Sequence, residues 1–131
     1  REIRYRGIGI AERKWVFGSL WFDTRNKATL IWSEELKYWV RVDPATVGQY
    51  TGLKDEHGKE IYEGDVIRSP LSEDKTRPHR IFYHTGNAAF MGALVDRKEL
   101  CYLRLDQDWI YKFGKEVIGN IHDNPELLKN E

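Results

Sequence analysis

One cysteine, Cys101, occurs in 131 residues. No intramolecular disulfide can form, and a zinc site needing two thiolates from one chain is excluded. A lone cysteine suits a reducing compartment, so the cytoplasm is expected. No apolar run approaches the roughly 20 residues that a membrane helix requires, and the opening Arg1-Glu2-Ile3-Arg4 has no signal-peptide core. Neither a membrane partner nor secretion is expected. Net charge is also missing: 21 basic and 21 acidic side chains cancel. No global field therefore drives the chain onto nucleic acid or an anionic membrane. Phosphate-cradling loops are absent, since Gly7-Ile8-Gly9 is only a fragment of such a motif and precedes no helix. His57, His79, His84 and His122 lack the H-x-x-x-H spacing of a metal-binding helix. No metal and no cofactor are expected. Repeats, low-complexity tracts and Gly/Ser linkers are missing too, which favours a single domain over residues 1–131.

What is present can build a core. Apolar residues make up 40% of the chain and aromatics 13%, with five tryptophans, so a disordered polymer is excluded. Short apolar, aromatic or β-branched runs alternate with polar turns, predicting strands near Ile3–Ile10, Trp15–Phe22, Ala28–Trp32 and Tyr38–Val42. Further strands are expected at Val66-Ile67, Arg80–His84, Ala88–Val95, Leu100–Leu105 and Glu116–Ile121. Asp23–Lys27, Thr85-Gly86-Asn87, Asp96–Glu99 and Asp106-Gln107-Asp108 read as turns or strand tips, because Asp and Asn oxygens bond nearby amides. Ser69–His79, with two prolines and few apolar groups, reads as an exposed loop.

Helical chemistry is sparse. Ser33-Glu34-Glu35-Leu36 has a capping serine and acids suited to one helical turn. Asp43-Pro44 stops the preceding strand and favours a 3₁₀ piece over Pro44–Val47. Asp123-Asn124-Pro125-Glu126 places a cap, a first-turn proline and an acid in the order that opens a short terminal helix.

The run Val42-Asp43-Pro44-Ala45-Thr46-Val47-Gly48-Gln49-Tyr50-Thr51-Gly52-Leu53-Lys54-Asp55, followed by Gly58-Lys59-Glu60-Ile61-Tyr62-Glu63-Gly64-Asp65, resembles the signature of the YopX family of phage and prophage proteins. Arg1–Arg6 and Glu116–Leu128 agree with the opening and close of that family. The resemblance implies a small, mainly β fold of strongly bent or bifurcated antiparallel sheets, encoded by a phage or prophage and acting in the bacterial host cytoplasm. It carries over no catalytic residue. Gly48, Gly52, Leu53, Asp55, Gly58, Ile61, Tyr62, Gly64 and Asp65 read as scaffold, as turn and strand geometry requires on backbone grounds.

Catalysis finds little support in the residues. Asp55, Glu56, Glu60, Glu63 and Asp65 lack calcium-loop spacing and read as turn acids around a hairpin, and Cys101 reads as a small core residue. Residues 1–42 hold nine Lys/Arg against five Asp/Glu. Arg4, Arg6, Arg13, Lys14, Arg25 and Lys27 sit among Tyr5, Trp15, Phe17, Trp21 and Phe22, a mixture that β platforms use for single-stranded nucleic acid. The expectation is a non-enzymatic accessory domain contacting a protein partner or a second copy through aromatic anchors. A single-stranded nucleic-acid-binding β domain is the alternative, with Arg4, Arg6, Arg13, Lys14, Trp15, Arg25 and Lys27 as contacts.

Overall fold

The computed structural model describes residues 2–69, 78–95 and 102–128. They form two compact units, Arg1–Gly52 and Leu53–Glu131.

The first unit is an antiparallel meander. Strands β1 (Tyr5–Ile8), β2 (Trp15–Asp23), β3 (Ala28–Ser33) and β4 (Trp39–Arg41) are joined by tight turns, and β5 (Gly48–Lys54) returns beside β1. The resulting order is β4-β3-β2-β1-β5. Val16, Ile31, Val40 and Val42 form the buried cluster, with Tyr5 and Val47 packed on it. Ile31 lies opposite Val40 in register, and alternate residues of β2 point the same way as Val16, so this core covers one sheet face. The expected 3₁₀ piece occupies Pro44–Thr46. Asp43 caps it through Ala45 N at 3.0 Å, while Thr46 Oγ1 accepts from Ile8 N at 2.9 Å and fastens the turn to β1.

Gly18 of β2 lies tight against the backbone of β3. A Cβ there would sit 1.7 Å from the Trp32 carbonyl oxygen, so no side chain fits. The helical turn expected at Ser33–Leu36 is a hairpin turn. Ser33 Oγ does accept from Leu36 N at 2.9 Å, as a cap would. Lys37 then takes φ 62° and Ser33 N donates to Tyr38 O, which sends the chain back as β4. The first strand is shorter than Ile3–Ile10, because Gly9 and Arg13 already bond across the turn into β2.

The second unit begins with the last residues of β5, which turn into β6 (Glu60–Tyr62). Then come β7 (Asp65–Arg68), β8 (His79–His84), a 3₁₀ turn at Thr85–Asn87, β9 (Ala89–Leu94) and β10 (Tyr102–Arg104). Helix α1 (Gln107–Lys112), β11 (Glu116–Asn120) and a 3₁₀ turn at Pro125–Leu128 complete it. Its antiparallel sheet has the order β10-β9-β8-β7-β11. Ile61, Ile67, Ile81, Leu105 and Ile110 are the buried cluster, joined by Leu53, Phe90, Trp109 and Val117.

Asp106-Gln107-Asp108, expected to be a strand tip, starts α1 instead. Asp106 Oδ1 accepts from Trp109 N at 2.7 Å, and burial of Ile110 holds the helix on the core. Gln107 clips it to the end of β5, accepting from Lys54 N at 2.9 Å and donating to Lys54 O at 2.6 Å. Both ends of the presumed loop Ser69–His79 are buried. His79 opens β8 and stands edge-on to Trp109, with ring centroids 5.9 Å apart. Residues 70–77, the tip Asp96–Glu99 and Cys101 lie outside the described residues. The terminal helix takes 3₁₀ form, with Leu127 N donating to Asn124 O.

Candidate binding face of the first unit

The hairpin registers decide what the other face of the first sheet carries. Trp21 pairs with Leu30 and Leu30 with Arg41, which makes one cross-strand row. Ser19, Trp32 and Trp39 make the adjacent row. Residues in register share a face, so three tryptophans converge on the side opposite Val16, Ile31 and Val40. The Trp21 and Trp39 ring centroids are 5.5 Å apart at 56°, and those of Trp32 and Trp39 are 5.6 Å apart at 72°. Tilted packing of this kind suits the ring quadrupoles. Trp21, Trp32 and Trp39 nevertheless remain 48%, 37% and 42% exposed, and Phe17 on the same strand face is 40% exposed. Large rings left this open in one cluster are unusual for a face that meets only water.

The charged residues singled out in the sequence do not form one patch. Arg4 is engaged by Glu2 at 2.8 Å and Glu34 at 3.1 Å. Arg6 is buried with its guanidinium 4.5 Å above the Trp15 ring. Arg13 and Lys14 lie in the turn before β2, whereas Arg25 and Lys27 lie in the turn after it. A nine-residue strand separates the two pairs by about 30 Å at the usual rise per residue. Only the second pair lies at the end of the sheet where Trp21, Leu30 and Arg41 share a row. Asp23 organises that turn. Its carboxylate accepts from Arg25 N at 3.0 Å and Asn26 Nδ2 at 2.8 Å. The Asn26 side-chain amide, helped by the Asn26 and Arg25 backbone amides, holds the Asp23 pKa below the ordinary value.

At the opposite end a crevice of about 380 Å³ is lined by Lys14, Trp15, Phe17, Glu34, Leu36 and Tyr38, among others. Glu12, Glu34 and Glu35 outnumber Lys14 in its lining, so the crevice is acidic. Sequence reasoning did not single out Trp32, Trp39 or Arg41. The available signal was the period of two along β3 and β4, which places both tryptophans and Arg41 on one side once the hairpin register is known.

The signature residues, which run from the end of the first unit into the second, hold turns and strands. Asp55 is 2% exposed, and its Oδ1 accepts from His57 N at 2.8 Å and Lys59 N at 2.9 Å. Its Oδ2 accepts from Val117 N at 3.0 Å. Asp65, also buried, accepts from Tyr62 N at 2.8 Å, and Glu60 accepts from the Tyr62 hydroxyl at 3.0 Å. Ile61 and Tyr62 are buried, Leu53 packs on the core, and Gly52, Gly58 and Gly64 all take positive φ. Gly48 is a strand residue opposite Arg6. The histidines are dispersed. His57 Nε2 meets Glu116 Oε2 at 3.0 Å, a contact that raises its pKa, with Asp55 and Glu56 adding to the effect. His84 Nδ1 accepts from Asn87 N at 3.0 Å and caps its 3₁₀ turn. Among the described residues no three His, Cys, Asp or Glu side chains are grouped to hold a metal ion. No helix among them is long and apolar enough to cross a membrane.

No curated protein matches the sequence. A crystal structure of a protein from Enterococcus faecalis is similar at a TM-score of 0.64 and 27% identity, covering 98% of this chain and 99% of that one. The model of the YopX protein family matches residues 4–129, almost the full length. The chain therefore belongs to the YopX family.

Proposed function

We propose that this protein is a phage or prophage accessory domain that acts by binding and not by catalysis. Its contact surface is the exposed tryptophan face of the first unit, and its place of action is the bacterial host cytoplasm. The observation that carries the reading is the trio Trp21, Trp32 and Trp39, packed against one another yet each more than a third exposed. Tryptophan supplies large contact area for little conformational entropy, which is why it dominates binding hot spots. The polar side chains of the second unit support the same reading. Asp55, Asp65 and His84 are engaged with backbone amides, a use that favours holding turns over moving protons.

The test compares the wild-type chain with Trp21→Ala/Trp39→Ala. Binding to a partner or to a second copy, followed by sedimentation, is expected to fall at least tenfold in the double variant. Its far-UV circular dichroism should match the wild type, because neither ring belongs to the buried cluster. Undiminished binding in the double variant overturns the assignment of the face. Turnover of any substrate, abolished on replacing an acid or histidine, overturns the non-enzymatic reading.

A further inference from the structure

We infer that the tryptophan face takes single-stranded nucleic acid, with bases on Trp21, Trp32 and Trp39 and phosphates on Arg25, Lys27 and Arg41. The inference rests on that face being the contact surface and adds the chemistry of what it contacts. Charge around the rings supplies the argument. Arg41 is exposed in the same cross-strand row as Trp21 and Leu30, and Arg25 and Lys27 lie in the turn that continues β2 beyond Trp21. Asp23 is the acid of that turn, and its carboxylate is occupied by Arg25 N and the Asn26 side chain. Glu34, Glu35 and Lys37 lie in the turn that joins Trp32 to Trp39, and Glu34 pairs with Arg4, so the cations clear of these acids are those at the Trp21 end.

Exposed rings beside three cations suit a ligand that is a chain of flat π faces with an anion at every link. A hydrophobic protein surface would use the rings and leave the cations unexplained. A duplex would offer the phosphates and hide the base faces, whereas every base of a single strand can stack, so sequence preference should be slight. The zero net charge of the chain gives no long-range attraction. Affinity should therefore be modest and confined to this end of the sheet. Three phosphate contacts predict that the logarithm of affinity falls with the logarithm of salt at a slope of about −2.

The experiment is fluorescence anisotropy of a labelled twelve-nucleotide oligo(dT), and of a duplex of the same length, titrated with the full chain between 25 and 200 mM NaCl. Saturable binding of the single strand at 25 mM, at least tenfold tighter than the duplex, is expected. Trp39→Ala should weaken it about tenfold, in line with the loss of one stacking platform, and Trp39→Phe should recover most of that loss. Arg41→Glu should weaken binding and flatten the salt slope, while Arg13→Glu/Lys14→Glu should change it less than twofold. Absence of saturable binding at 25 mM overturns the inference. So does an Arg13→Glu/Lys14→Glu effect as large as that of Arg41→Glu, which would place the strand elsewhere. If no oligonucleotide binds but the wild type self-associates and Trp39→Ala does not, the nucleic-acid inference falls and the contact face stands. If Trp39→Ala alters neither property, both fall.

Discussion

Replacing Asp55 by alanine removes the acceptor for three backbone amides at once: His57 N, Lys59 N and Val117 N, at 2.8, 2.9 and 3.0 Å. The first two close the turn between β5 and β6, and the third reaches β11, 62 residues along the chain. A typical intramolecular hydrogen bond contributes about 1 kcal/mol net, so three lost together should lower stability by about 3 kcal/mol. Burial keeps water from substituting freely, since the Asp55 side chain is almost inaccessible. Against the usual 5–15 kcal/mol of a folded domain this is a large fraction. With a urea dependence of about 1.5 kcal/mol per M, the unfolding midpoint should drop by about 2 M. Asp55→Asn should cost less, about 1–2 kcal/mol, because its carbonyl still serves the turn and only Val117 N meets an amide donor instead of an acceptor. Glu56→Ala, at an exposed neighbour, is the control. Urea titration followed by circular dichroism checks the series. A midpoint shift below about 0.5 M for Asp55→Ala, or an asparagine variant weaker than the alanine variant, would refute the idea that this carboxylate acts as a three-way clamp.

Further perturbations separate other parts of the fold. Ile31→Ala, at a fully buried position of the first core, should cost about 2–5 kcal/mol by cavity formation, read by thermal unfolding. Gly64→Ala forces an L residue to φ 91° and should destabilise by about 1–2 kcal/mol, with Gly64→Asn less harmful than Gly64→Val. Because Glu116 raises the His57 pKa, NMR titration should place His57 above its ordinary midpoint of 6.5 and return it towards that value in Glu116→Gln. The corresponding stability is present below the unfolded-state pKa and lost as pH rises through the folded one. Asp23 has the opposite sign: its lowered pKa contributes stability above 3.8 that disappears as pH falls through the folded value, visible as loosening of the β2–β3 turn in amide exchange.

The strands of the first unit were legible because apolar runs and turn residues alternate at hairpin spacing. The orientation of the strands was not legible. In Trp15-Val16-Phe17-Gly18-Ser19-Leu20-Trp21-Phe22 both faces are largely apolar, so no polarity contrast says which side is buried. Pairing of Leu20 with Ile31 and of Ile31 with Val40 settles it, and pairing is a long-range property. Pro44 and the glycines of the signature were readable because their backbone constraints are intrinsic. Helix α1 was not, since six residues are too few to display a helical period. Asp106 as an N-cap also has the same sequence appearance as Asp in a turn. Asp55 was recognisable as a turn residue but not as a link to Val117, because nothing local encodes a partner so distant. The distribution of the basic candidates was hidden for a similar reason: closeness along the chain, from Arg13 to Lys27, is spread over the length of β2.

The pairing of β7 with β11, from Asp65 with Asn120 to Arg68 with Glu116, has a consequence for synthesis on the ribosome. Every strand pair of the meander from β1 to β4, and that of β1 with Gly48 and Gln49 of β5, closes within the first 49 residues, so those ladders can zip up early. The second sheet cannot finish until Glu116–Asn120 has left the exit tunnel, because β7 keeps one edge open and Asp55 lacks its Val117 contact until then. Contacts this distant in sequence are slow to form and leave edges exposed in the meantime. A message truncated well beyond Gln49 but before Glu116 should therefore yield a chain with a folded first meander and a protease-sensitive remainder, and limited proteolysis of stalled nascent chains would reveal it.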